Sequence, residues 1–137
     1  MAVEIKGRYT GNLNVEIEHG PSGTILKTAA PVDNEGDGSS FSPTDLTAAA
    51  LGACMMTIMG IVARREGIDL EGCTFTLSKE MTSSPRRIGA VPVTLNMPAG
   101  LTDDQKKKLE RGALTCPVHR SLHDAVEKPV RFVYPEE

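Results

Sequence analysis

An uncharged stretch in the middle of the chain most constrains how this protein can fold. Residues 46–63 contain no Asp, Glu, Lys or Arg, and this length is close to the roughly 20 residues that a membrane-spanning helix needs. Ala, Gly, Thr and Met make up most of the stretch, and each contributes little transfer free energy. Strand-like segments of a soluble pattern flank it. We therefore predict a helix that is buried in protein and does not cross a membrane.

The residues at the two ends of this stretch set the limits of the helix. Ser42 is a good N-cap, Pro43 suits the first helical position, and Asp45 complements the positive end of the helix dipole. Gly67 follows a short charged run and is a typical C-terminal stop. The sequence thus predicts a helix over about 43–66.

Apolar side chains occupy most of the circumference of this helix. One i, i+4 ridge and a second, shorter one run along it: Leu46, Ala50, Cys54, Ile58 and Val62, then Leu51, Met55 and Met59. A helix that is apolar nearly all round must be surrounded by protein. In a chain of this size, a sheet on one side and a second copy of the protein on the other could surround it.

The segments on either side of the helix predict strands and two shorter helices. Alternating apolar and polar residues predict strands in 1–30, over 71–79 and 87–97, and again over 129–134. Pro92 lacks an N–H, so we expect an edge or a bulge there. A capping box at Thr102 opens a helix to about Ala113, and Pro117 opens another. The order predicts a single α+β domain over 1–137, with a hairpin in 71–97 and two short helices in 102–126.

Charge and cysteine content exclude several classes of protein. The 137 residues carry a net charge of −3, so a general nucleic-acid binder is not expected. Three cysteines, at 54, 73 and 116, cannot form a fully paired disulfide scaffold, and their spacing does not match a zinc finger. The chain does not begin with a signal-peptide pattern. We therefore expect reduced thiols and a cytoplasmic protein.

Cys116 has the most informative local context among the three cysteines. It directly precedes Pro117, at the predicted start of a helix, where unpaired N–H groups and the helix dipole favour a thiolate. We therefore expect its pKa to fall below the free value of about 8.5, with His119 adding to the effect if it faces the same side. His119 and His123 are spaced i, i+4, but two ligands without a third do not predict a metal site. We interpret Cys73 as a core residue.

Two motifs resemble the signatures of the OsmC/Ohr family, whose names stand for osmotically inducible protein C and organic hydroperoxide resistance protein. The first is Ser42-Pro43-Thr44-Asp45-Leu46 with Ala48-Ala49-Ala50-Leu51-Gly52-Ala53-Cys54. The second is Cys116-Pro117-Val118-His119-Arg120-Ser121-Leu122. Their order, their spacing and the length of the chain agree with the family, and the resemblance covers nearly the whole chain. It implies an antiparallel sheet with a long buried central helix, in an intertwined homodimer.

The resemblance also implies an activity and assigns roles to two cysteines. Active members of the family are thiol-dependent peroxidases for organic hydroperoxides, without a bound cofactor or metal. The position of Cys54 matches the peroxidatic cysteine, which becomes a sulfenic acid. The position of Cys116 matches the resolving cysteine, and an external dithiol reduces the resulting disulfide. The expected partners are a second copy of the chain, a small hydroperoxide and a dithiol reductant, with no nucleic acid and no membrane.

The chain departs from the best-known peroxidases at the group that activates the thiolate. In those proteins an arginine from the loop before the helix, held by a helix glutamate, supplies positive charge. Here the arginine position falls near Asp33, and the glutamate position falls at Thr44, with Asp45 next to it. The charge would have to come from elsewhere, and four arginines are candidates: Arg8, Arg86, Arg87 and Arg120. The alternative is a non-peroxidase of the same fold, acting as a redox sensor or a small-molecule binding protein.

Overall fold

The computed structural model describes residues 1–135, and the chain divides into two compact units, Met1–Thr47 and Ala48–Glu137. The first unit contains a three-stranded antiparallel sheet of β1 (Ile5–Gly11), β2 (Asn14–His19) and β3 (Ile25–Ala29), in sequence order. A short 3-10 helix, Val32–Asn34, follows in the loop that leads to the long helix. Strands therefore lie within 1–30, as predicted, but burial does not alternate along them.

One face of this N-terminal sheet is apolar and open to solvent. The register pairs Gly7 with Ile17 and Ile17 with Leu26, and side chains two residues apart share a face. Ile5 and Tyr9 are each 63% exposed, and Leu26 is 52% exposed. Single exposed apolar residues are common, but a contiguous apolar set on one sheet face is typical of an interaction surface.

The long helix has the bounds that the sequence predicted. α1 runs from Pro43 to Glu66, beginning in the first unit and continuing through the second. The Ser42 N–H donates to the Asp45 carboxylate at 2.9 Å, and the Asp45 N–H donates to Ser42 Oγ at 3.0 Å. These reciprocal bonds satisfy two backbone donors that a helix start leaves unpaired.

The second unit packs α1 against a mixed sheet, which corrects the antiparallel sheet expected from the sequence. β4 (Thr74–Leu77) pairs antiparallel with β7 (Val93–Asn96), whereas β8 (Val130–Val133) lies parallel to β7. The helices α2 (Asp103–Leu114) and α3 (Pro117–Ser121) connect β7 to β8. A crossover of this kind is what lets two neighbouring strands run parallel.

Of the two strands predicted in the hairpin region, the first is shorter than predicted and the second is divided. Residues 71–79 contain only β4, and a separate pair follows it, β5 (Glu80–Thr82) and β6 (Arg87–Ala90). The strand predicted over 87–97 divides into β6 and β7 on either side of Pro92. Proline cannot donate a ladder hydrogen bond, so the pairing changes partner where it occurs.

The core of the second unit lies between one side of α1 and the inner face of the sheet. Leu51, Met55 and Met59 are fully buried together with Leu95 of β7 and Leu109 of α2. Gly52 allows the closest approach, because a Cβ at this position would lie 2.6 Å from the Phe75 ring. The shorter apolar ridge predicted from the sequence is thus the buried one.

The opposite side of α1 remains accessible. Ala50, Ala53, Thr57 and Ile61 are exposed, and Ile61 retains 42% of its surface. By length and composition the helix could cross a membrane, with a mean hydropathy of 2.0 over its most apolar 18-residue window, a third of which is buried. Core helices of soluble proteins have the same composition. We call the exposed stripe Ala50, Ala53, Thr57 and Ile61 the open face of α1.

Candidate thiol site

The two cysteines of the matched motifs meet in the second unit. Cys54 lies at the start of the fourth turn of α1, and Cys116 is the N-cap of α3. Their thiols lie close enough for Cys54 to affect the pKa of Cys116, and all three cysteines are free thiols. Two distant parts of the sequence therefore bring two thiols into one site.

The surroundings of Cys116 overturn the predicted direction of its pKa. Its side chain is completely buried, and Sγ accepts the His119 N–H at 3.3 Å. Burial raises the pKa of the Cys116 thiol, the backbone N–H groups of His119 and Val118 lower it, and the Cys54 thiol raises it further. The expectation of a lowered pKa was wrong because removal of the sulfur from water outweighs the amides at the helix start.

Cys54 is the more accessible member of the pair. It is half-buried, between the buried side of α1 and the open face. Ile58 lies one turn further along the helix, so the approach to this sulfur is apolar. A small molecule that reaches the pair from solvent meets Cys54 before Cys116.

His119 does not supply positive charge to the pair at neutral pH. Its backbone N–H contacts Cys116 Sγ, but burial and the nearby charge of Lys128 lower the pKa of its imidazole. Arg120 is exposed, and its N–H donates to the Cys116 carbonyl at 3.1 Å. Lys128 is half-buried, with Nζ 2.7 Å from the Val126 carbonyl. No motif in the sequence pointed to Lys128, because only the fold brings it beside His119.

Thr44 and Asp45, at the positions of the family's helix glutamate, take part in starting α1. Thr44 Oγ1 lies 3.1 Å from Ser42 Oγ, and Asp45 makes the reciprocal bonds described above. Arg8 pairs with Glu16 at 3.8 Å within the first unit. Arg86 is exposed on the β5–β6 connection. Arg87 is exposed at the start of β6, where its guanidinium donates to the Ile88 carbonyl.

Cys73 lies apart from this pair, in a strand environment. Its Sγ donates to the Asn96 carbonyl at 3.0 Å, and the side chain is half-buried. Burial raises the pKa of the Cys73 thiol. A protonated, hydrogen-bonded thiol is a poor nucleophile, so this cysteine is unreactive by comparison with an exposed thiolate.

Alkaline pH is expected to destabilise the reduced protein. The pKa values of Cys73 and Cys116 are raised above 9.0, and burial and a hydrogen bond to Glu110 raise the pKa of Tyr134 above 10.0. The folded state therefore holds these protons more tightly than the unfolded state, and the stabilisation present below about pH 9 is lost as the pH rises further. Urea unfolding in the presence of reductant, from about pH 8 to pH 11, measures the effect.

Single substitutions assign this loss of stability to individual groups. Tyr134→Phe is expected to reduce the loss of unfolding free energy in the upper part of this pH range. Cys116→Ser is expected to reduce the loss in the lower part. A free energy of unfolding that stays level or rises over this range would contradict the expectation.

Comparison with known proteins places these motifs in a family. The OsmC-like protein model matches residues 36–128, which include both cysteine motifs. No curated protein matches the chain significantly in sequence.

Several solved structures have the same fold. A protein of Psychrobacter arcticus 273-4, named for an osmotic stress induced and detoxification response, is 41% identical over 93% of each chain, with a TM-score of 0.90. The organic hydroperoxide resistance protein OsmC of Legionella pneumophila is 23% identical over 97% of each chain, with a TM-score of 0.72. The organic hydroperoxide resistance protein OhrB of Bacillus subtilis is 19% identical over 96% of this chain and 98% of its own, with a TM-score of 0.67.

The family model covers more than half of the chain, and the Psychrobacter protein matches it closely in both sequence and fold. The chain therefore belongs to the OsmC-like protein family.

Proposed function

We propose that this chain is a thiol-dependent peroxidase that reduces organic hydroperoxides. The observation that carries the proposal is that the half-buried Cys54 thiol and the buried Cys116 thiol are neighbours in the fold. Relatives of the same fold are named for organic hydroperoxide resistance. Two neighbouring thiols can exchange between the dithiol and the disulfide form.

The proposed cycle uses only these two thiols and two outside reactants. The Cys54 thiolate attacks the terminal oxygen of the hydroperoxide, the O–O bond breaks, and the alcohol leaves with a proton. Cys54 is then a sulfenic acid. The Cys116 thiolate attacks its sulfur, hydroxide leaves and takes up a proton to form water, and a disulfide forms. An external dithiol reduces this disulfide by two exchange steps.

Burial favours Cys54 as the attacking group and Cys116 as the second thiol. Cys116 is buried, and its pKa is raised, so it stays protonated until the sulfenic acid forms. The amides of Val118 and His119 then stabilise the anion that it becomes. The second candidate is a redox sensor or small-molecule binding protein that reacts with peroxide slowly. It is favoured by the His119 imidazole, whose lowered pKa leaves it without a positive charge beside the pair.

A coupled measurement tests the proposal. Reduced protein is mixed with cumene hydroperoxide and dithiothreitol, and both peroxide consumption and protein thiols are followed. We expect catalytic consumption, and without dithiothreitol we expect the three thiols to fall to one, with a Cys54–Cys116 disulfide in the peptide map. A disulfide that forms without catalytic turnover would favour the sensor. The absence of both would overturn the proposal.

We also infer a homodimer, because each unit leaves an apolar surface open. The first unit exposes Ile5, Tyr9 and Leu26 on its sheet, and the second exposes the open face of α1. Exposed apolar surface of this extent costs free energy unless it is covered. A second copy of the chain would cover the open face of α1 by a symmetric contact.

Placing a charge in the open face is expected to separate the two subunits. Ile61→Glu should shift the sedimentation coefficient to that of a monomer, because the carboxylate would have to be desolvated at the contact. Lys107→Glu adds the same side chain at an exposed position of α2 and serves as the control. A monomeric wild type, or an Ile61→Glu variant that remains dimeric, would show that the inference is wrong.

We place the protein in the cytoplasm, where thiols stay reduced. Its fold is that of the OsmC and Ohr proteins. The external dithiol of the proposed cycle, a protein or a small molecule, would be its redox partner there.

A further inference from the structure

A groove between α1 and α2 lies outside the thiol pair. It has a volume of about 390 Å³, and Ile58 and Val62 of α1 line it together with Gly112 of α2. A Cβ at Gly112 would lie 3.2 Å from the Val62 side chain, so glycine lets the two helices approach closely beneath the groove. Its lining includes neither Cys54 nor Cys116.

Positive charge surrounds this apolar floor. Arg65, Lys108 and Arg111 contribute three cations to the lining, and Glu66 contributes one anion. Lys108 is engaged, since its Nζ contacts both Glu66 and Asp104. Within residues 1–135, neither Arg65 nor Arg111 has an ion-pair partner, and both are exposed. Both guanidinium groups are therefore available to an anionic ligand.

This combination of charge and apolar surface matches one class of ligand. A guanidinium group binds a carboxylate through two parallel N–H···O bonds, and an alkyl chain gains free energy by covering Ile58 and Val62. Ile58 and Arg65 are seven residues apart on α1, which spans about 10 Å along the helix. We propose that the groove binds an aliphatic carboxylate of medium chain length, with its carboxylate between Arg65 and Arg111 and its chain on Ile58, Val62 and Gly112.

The charged end of the groove lies away from the thiol pair, although Ile58 at its other end is one turn from Cys54. The carboxylate of the ligand would lie about three turns of α1 away from Cys54, and binding needs no thiolate. A ligand at this position touches α1 and α2 together, and it would stabilise the folded state by mass action.

Calorimetric titration of the reduced protein with decanoate tests this assignment. We expect saturable binding of one decanoate per chain, weakened about tenfold by Arg65→Gln or Arg111→Gln, a loss of about 1.4 kcal/mol. Lys107→Gln, at an exposed position outside the groove lining, is the matched control and should bind like the wild type. Decanol, which has the same chain length without the charge, should bind at least about tenfold more weakly than decanoate.

Two further measurements keep this result separate from the peroxidase proposal. Cys54→Ser should bind decanoate with unchanged affinity, whether or not the wild type reduces hydroperoxides. In NMR spectra, decanoate should shift the Gly112 amide and leave the Gly100 amide unchanged. Equal binding of decanol, unchanged binding by both arginine variants, or a wild type that binds no decanoate because a second copy covers the groove would each overturn the assignment.

Discussion

Replacing Cys54 with serine is expected to reduce hydroperoxide consumption to the background rate. A serine hydroxyl stays protonated at neutral pH and does not attack the O–O bond, whereas a thiolate does. The substitution changes one atom at a half-buried position, so the fold should be retained. Dithiothreitol-dependent loss of cumene hydroperoxide measures the effect.

Cys73→Ser is the matched control for this substitution. The Cys73 thiol donates to the Asn96 carbonyl, and a serine hydroxyl can make the same bond. We therefore expect turnover close to that of the wild type. Full activity in Cys54→Ser, or its loss in Cys73→Ser, would show that the reacting thiol has been misassigned.

Cys116→Ser separates the two steps of the cycle. Cys54 would still form a sulfenic acid, but no neighbouring thiol would remain to close the disulfide. Further peroxide would then oxidise Cys54 to the sulfinic and sulfonic acids, which dithiothreitol does not reverse. Mass spectrometry of the Cys54 peptide after successive additions of peroxide distinguishes this result from a reversible disulfide.

Leu109→Ala is expected to cost about 2–5 kcal/mol of unfolding free energy. Leu109 is fully buried where α2 meets the core around α1, so its truncation leaves a cavity. Leu114→Ala, in the same helix, removes a side chain that is 43% exposed and should cost less than about 1 kcal/mol.

Urea unfolding of both variants, followed by circular dichroism, gives the comparison. Because both are Leu→Ala changes in α2, their difference in helix propensity is small. Equal losses of unfolding free energy in the two variants would show that Leu109 is not part of the buried core between α1 and α2.

The sequence was most informative where local chemistry determines structure. Ser42, Pro43 and Asp45 define the start of α1, and the structure begins the helix at the same residue. The alternation through Val91, Val93, Leu95 and Met97 correctly indicated a buried face, since all four are at most 4% exposed. Capping and alternation depend on neighbours within a few residues, so they can be predicted from one chain.

Local sequence patterns did not predict how distant strands pair or how deeply a side chain is buried. Nothing in residues 130–133 shows that β8 pairs parallel to β7, because the direction depends on the path of α2 and α3. The motif match paired Cys54 with Cys116, but the pKa of Cys116 depends on how deeply the fold buries it. Neighbours on other elements, which no local pattern reveals, determine the roles of Lys128, Arg65 and Arg111.

The sulfur of Cys116 caps α3, so a backbone amide of the protein responds to the chemical state of that sulfur. The His119 amide donates to Cys116 Sγ, so a change in the bonding of that sulfur alters the amide's acceptor. A thiolate would strengthen the bond, and a disulfide sulfur, which carries less negative charge, would weaken it. The His119 amide resonance is thus a label-free gauge of the state of the dithiol, available without any dye or added cysteine.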